Sequence, residues 1–364
     1  MKKKINLHIL FLIIEITIII TITLTLILKY SKSKYSNVTL KTIKDYEIYS
    51  EIKTSPYSKT IEEVVNNNLF NPNYYKEYYK IDYNAIPNFS DIINTFLTKN
   101  YNGLEVDYIL KNYKSNIDIL LNMEKHIDIL KFKDITNFDI AKLKRYLSYE
   151  KENPNYNIKT VVTYVNIGLD LPVYTNYEII PENEISNYDI LVNKYHKIPD
   201  NYEPNDLTTI ASTGYRLRKD AATHYEELIN AATLDNIFLY PFSAYRSYEA
   251  QTNLYTNYKN RDGEALADTY SARPGHSEHQ LGLAVDVRSA TLPDNLTSED
   301  YNWLLNNSYK YGFIIRYPKG KENITQFIEE PWHIRYLGVE LATKVYNSNL
   351  TYDEYYDLNI KKTR

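Results

Sequence analysis

The sequence predicts an α+β fold for the C-terminal part of the chain, a mainly helical region before it, and one membrane-crossing helix at the N-terminus. Three observations carry this. An apolar run lies near the N-terminus, short helical patterns give way to mixed helices and strands near Tyr188, and arginine changes in frequency. Before Arg216 the only arginine is Arg145, whereas eight fall between 216 and 335. The chain is divided accordingly into 1–35, 36–187 and 188–364, with different surface chemistry expected on the two larger parts and the last expected to be autonomous. Helices and strands without regular alternation argue for α+β.

The N-terminal run from Ile5 to Leu28 is mostly Ile, Leu and Thr and follows Lys2, Lys3 and Lys4. At about 1.5 Å per residue it is long enough as a helix to cross a hydrocarbon core of roughly 30 Å. No small-x-small cleavage site precedes Tyr30, so the expectation is an uncleaved signal anchor. Lysines on both sides leave its orientation to be decided by the chemistry downstream.

Composition excludes several functions. Forty-two basic against 46 acidic residues give a net charge of −4, which supplies no field to gather nucleic acid, so no nucleic-acid partner is expected. The 364 residues include no cysteine, which removes disulfides, thiol nucleophiles and Cys-ligated zinc. Any metal must be held by His, Asp and Glu.

From 36 to 187, patterns such as Ile61, Val64, Val65 and Leu69, or Ile158, Val161, Val162 and Val165, mark helices with one apolar face. The stretches "TIEEVVNNNLFNP", "IKTVVTYVNIGLDLP" and "GLEVDYILKNY" align loosely as a small helical repeat. Further on, "YRLRKDAATHYEELINAATLDN" reads as a helix, "IFLYPFSAYR" as a strand, "SYEAQTNLYTNYKN" as a helix and "LAVDVRS" as a strand. "SEDYNWLLNNSYKYG" reads as a helix with a Ser cap, closed by Gly312, before the strand "FIIRYP" and a last helix from about Val339.

Of seven histidines, His276, His279 and His333 lie in two polar, glycine-containing stretches. Asp286 follows His279 on a short strand that puts Ala284 and Asp286 on one face, and Gly282 leaves backbone room for a metal beside them. "EEPWHIRYLG" supplies Glu330 and His333, with Pro331 bending the chain so that both could face one point. Two imidazoles and a carboxylate make an open three-ligand zinc set, and Glu330 is left over as a base. Spacing alone also admits His276. His8, His126, His196 and His224 carry no claim to function.

"SAYRSYEAQ", "ADTYSARPGHSEHQLGLAVDV" and "EEPWHIRYLG" together resemble the signature blocks of VanY-type D-alanyl-D-alanine carboxypeptidases, zinc peptidases of the M15 class, over roughly 190 to 350. The resemblance implies a small antiparallel sheet with flanking helices. It implies Zn²⁺ held by His279, Asp286 and His333, Glu330 as catalytic base, Arg246 facing the substrate, and Gln251 and Ser277 in the pocket; His276 is then no ligand. Zinc would acidify its water and polarise the scissile carbonyl, while Arg246 would meet either the oxyanion or the substrate carboxylate. The implied substrate is the peptidoglycan stem peptide outside the membrane, so the anchor is read with its N-terminus inside. The same motifs serve an L,D-carboxypeptidase or a peptidoglycan endopeptidase. A non-catalytic, membrane-tethered wall-binding protein is the reading from another class.

Overall fold

A computed structural model describes residues 14–23, 34–292 and 295–361. The chain divides into two compact units, 1–134 and 135–364. Of the apolar run Ile5 to Leu28, residues 14–23 are helical and the rest lies outside the described residues. Among the described residues no helix is long and apolar enough to cross a membrane.

The first unit is built of short helices, among them Lys59–Asn66, Phe89–Thr98 and Gly103–Asn112. Their buried faces supply Ile61, Val64, Ile93, Phe96, Val106 and Ile109. Side chains start them: Ser58 accepts from Ile61 N, and Asn102 forms a reciprocal capping box with Glu105.

The second unit begins about fifty residues before the expected boundary near Tyr188, because residues 135–187 pack on the C-terminal region. Asn137 Nδ2 donates to Asp357 Oδ2 (2.6 Å), and Tyr195 Oη donates to Leu171 O (3.1 Å). Its centre is a four-stranded antiparallel sheet of β1 (Leu239–Ser243), β2 (Ala284–Ser289), β3 (Phe313–Tyr317) and β4 (Glu330–Tyr336), in the order β1-β2-β4-β3. Alternation sends Val285, Val287, Ile334 and Tyr336 into a core shared with Leu228 and Ala232 of α1 (Lys219–Leu234). Asp286, Arg288 and His333 leave the opposite face, where α2 (Tyr248–Asp262) and the segments around 271 and 327 wall a cavity of about 490 Å³.

Two sequence expectations change in detail. The helix before "YKYG" is α3 (Ser298–Asn307), and its cap is Thr297 in a capping box with Asp300, not Ser298. The arginine boundary is not a surface property alone. Arg316 and Arg335 are fully buried, and their partners are internal carboxylates. The final region holds α4 (Val339–Ser348) and a further helix, α5 (Tyr352–Asn359), which carries Asp353 and Asp357 inward.

Candidate active site

The sheet register makes the site. Asp286 on β2 lies directly opposite His333 on β4 and Ser243 on β1. Cross-strand partners have Cβ atoms about 5 Å apart, so two of the expected ligands meet without any loop. The third, His279, comes from the 3-10 turn Glu278–Leu281 just before β2. That turn closes at Gly282 with φ +66°, and a Cβ there would come within 2.8 Å of Leu207 Cδ2 and 3.1 Å of Arg218 Cγ. Gly282 therefore serves a left-handed turn and the approach of Arg218, not room beside a metal.

Glu330 and His333 are three apart on one strand, a spacing that in a regular strand puts them on opposite faces. The β3–β4 register shifts between Ile315 and Tyr317, so that Ile315 faces Ile334 while Tyr317 faces Glu330. The extra β4 residues turn both side chains to the cavity. His333 Nδ1 lies 3.8 Å from Glu330 Oε2.

The donor atoms of His279, Asp286 and His333 lie within 4.8 Å of one another, and all three residues are buried. His279 Nδ1 is 2.7 Å from Ala244 O and its Nε2 is 3.2 Å from Asp286 Oδ2. His333 Nε2 is 3.3 Å from Glu278 Oε2 and its Nδ1 is 3.1 Å from Asp286 Oδ1. When each ring donates its N–H to the outer acceptor, a lone pair from each points at a carboxylate oxygen. Acceptors so placed demand a cation between them. Burial opposes a charge on His333, but Asp286 and Glu278 outweigh it and push its pKa up to about 9. Burial favours neutral Asp286, yet His279 and His333 hold its carboxyl far below the usual range. The donor set thus fits a divalent ion of zinc's preference for nitrogen and oxygen.

Burial raises Glu330 to a pKa of about 8. Arg246 is braced after β1: Nη1 donates to Gln251 Oε1 (2.6 Å), Nη2 donates to Ser243 Oγ (2.7 Å), and Nη2 lies 3.8 Å from Asp286 Oδ2. Gln251 in turn donates from Nε2 to Ala272 O (2.6 Å). Ser277 is buried, lines the cavity and precedes the His279 turn. All seven sequence-named residues line this one cavity. His276 does not; its Nδ1 is 2.8 Å from Asn193 O, and its ring sits 5.0 Å from those of Tyr174 and Tyr177.

Glu278 is the residue that spacing did not nominate. Its Oε1 accepts from Arg316 Nε (2.9 Å) and Arg335 Nη1 (2.8 Å), which keep it ionised despite complete burial. Arg316 passes on to Asp353, and Arg335 Nη2 donates to the carbonyls of Tyr188 and Ile190. The charge that orients His333 is therefore fixed by β3, β4 and α5 together.

The chain is similar to known proteins. The VanY family model, D-alanyl-D-alanine carboxypeptidase, matches residues 214–339. YodJ of Bacillus subtilis, named as a carboxypeptidase, is 39% identical over 196 residues, half of this chain and 70% of that protein. The bifunctional D-Ala-D-Ala dipeptidase and carboxypeptidase VanXYC of Enterococcus gallinarum is 31% identical over 176 residues, 46% of this chain and 92% of its own. Among solved structures, a vancomycin-resistance D,D-pentapeptidase VanY in complex with Zn(II) is 38% identical, with 46% of this chain and 98% of that one covered and a TM-score of 0.42.

Proposed function

This chain belongs to the VanY D-alanyl-D-alanine carboxypeptidase family, and we propose that it is a zinc peptidase that removes the terminal D-alanine from peptidoglycan stem peptides. The observation that carries the reading is the convergence of the ligand atoms of His279, His333 and Asp286 within 4.8 Å of one another, beside a buried Glu330 and a braced Arg246. His279 Nε2, His333 Nδ1 and the Asp286 carboxylate would hold the ion. Zinc in that position supplies a Lewis acid and makes water acidic enough to react near neutral pH. Glu330, buried at the cavity beside His333, is suited to take the proton of the attacking water and return it to the amine of the departing D-alanine. Arg246, held by Ser243 and Gln251, keeps positive charge beside the metal donors for an anionic oxygen of the substrate.

The test is to incubate zinc-loaded protein with a pentapeptide stem ending in D-Ala-D-Ala and a tetrapeptide stem ending in one D-alanine, identifying fragments by mass. Loss of one alanine from the pentapeptide is expected. Cleavage of the tetrapeptide alone would make the enzyme an L,D-carboxypeptidase.

The apolar run Ile5 to Leu28 is assigned as an uncleaved anchor that holds the peptidase on the outer side of the membrane, where this substrate lies. The protein should fractionate with membranes and keep its first residues. A soluble form starting shortly after Tyr30 would overturn the assignment.

A further inference from the structure

Arg288 stands two residues beyond Asp286 on β2, so both side chains leave the same face into the same cavity. Yet the catalytic scheme leaves it without a task. Its guanidinium lies 3.8 Å from the ring centroid of Phe242, the extra residue where the β1–β2 register shifts between Pro241 and Ser243. Its Nε is buried with no hydrogen-bond partner, and among the described residues no ion pair engages the group. The other arginines nearby are committed: Arg246 to Ser243 and Gln251, Arg316 to Glu278 and Asp353, Arg335 to Glu278 and two carbonyls. A guanidinium held over an aromatic ring keeps N–H groups for a further partner, which suits it to grip a planar carboxylate through two hydrogen bonds.

Arg246 is tied beside Asp286 and Arg288 is tied over Phe242, so the two cations stand at separate places. We propose that Arg288 recognises a second carboxylate of the substrate, carried within the peptide and distinct from its C-terminal one. The enzyme is then selective for acidic stem peptides. This inference rests on the carboxypeptidase reading above, and deepens it.

The experiment uses the zinc-loaded full chain and N-acyl tetrapeptides ending in D-Ala-D-Ala. Matched pairs carry glutamate or glutamine at either of the two preceding positions. The parent is expected to favour the glutamate member at one position by about 10-fold or more in kcat/KM, the discrimination typical of a charged hydrogen-bonded pair. In Arg288→Gln that ratio should fall toward one. Arg288→Lys keeps the charge and should retain part of the preference, and zinc content near one per chain shows that the site is intact. A parent indifferent to the carboxylate overturns the proposal, as does a preference that survives in Arg288→Gln. A parent that cleaves neither member of any pair overturns the carboxypeptidase reading itself, and this inference with it.

Discussion

Asp286 lies between two imidazoles, His279 on one oxygen and His333 on the other, and neither ring has a second nitrogen to spare. With three donors and no reserve, replacing His279, Asp286 or His333 by Ala should abolish zinc binding and activity together, as read by metal analysis and peptide cleavage. Glu330→Gln keeps size and loses the proton acceptor. Zinc should stay near one per chain while kcat falls by about 100-fold to 10,000-fold; loss of zinc would mean that Glu330 is itself a ligand. His276→Ala should retain zinc and lower only the melting temperature, since its contacts are a carbonyl and two tyrosine rings. Glu278→Gln differs from all of these. It leaves Arg316 and Arg335 buried against a neutral group, which should cost roughly 3–5 kcal/mol of stability. It also weakens the hold on His333 Nε2, so zinc affinity should drop by about 10-fold to 100-fold in a chelator competition. Candidate ligands and a base could be named because each pair sits within one short stretch, and the resemblance gave them their roles. Glu278 could not be, because Arg316 and Arg335 stand 38 and 57 residues away from it in sequence.

At the scale of elements, the strands and helices around the site followed from apolar periodicity, but their pairing did not. Pro331 in "EEPWHIRYLG" suggested that Glu330 and His333 face one point but not the β3–β4 register shift that turns them there, and nothing in "LAVDV" says which strand faces it. Lys194 shows the same limit for the cavity wall. Its Nζ donates to Asp268 O and Gln326 O and lies 4.3 Å over the Phe327 ring, tying together two segments that border the substrate space. Burial pulls its pKa from 10.5 down to about 8. Between these values the unfolded chain keeps a proton that the folded chain sheds, so the residue's contribution to stability rises with pH across that window. Below about 8 both states are protonated, and the cost of burying the charge is borne in full, on the order of 3 kcal/mol. Against a Lys194→Met variant, the parent should therefore gain stability from pH 8 to 10.5 in denaturant titrations. Parallel curves for the two proteins would show that the amine is solvated.

For the whole chain, the arginine boundary near Tyr188 and the edge of the packed unit at 135 do not coincide. The eight arginines include Arg316 and Arg335, buried beside the site, which says where the site is built but not what supports it. Support comes from before Tyr188. Tyr174 and Tyr177 flank His276, Arg273 N donates to Tyr174 Oη (3.4 Å), and helix Ile158–Asn166 meets α5 through Asn166 and Asp357. Asp357 is buried, and burial raises its pKa while Asn137 and Asn166 oppose that rise. A chain cut to 188–364 loses both amides and uncovers the apolar surface under Val161, Val162 and Val165. Each large apolar side chain left uncovered costs about 1.5–3 kcal/mol, against a total stability of about 5–15 kcal/mol for a domain. A protein of residues 135–364 should thus fold, bind one zinc and cleave peptide at the full chain's rate. One of 188–364 should aggregate or melt at least about 10 °C lower. If the shorter protein melts within a few degrees of the longer one and is equally active, the packed unit begins at Tyr188 after all, and residues 135–187 merely lie against it.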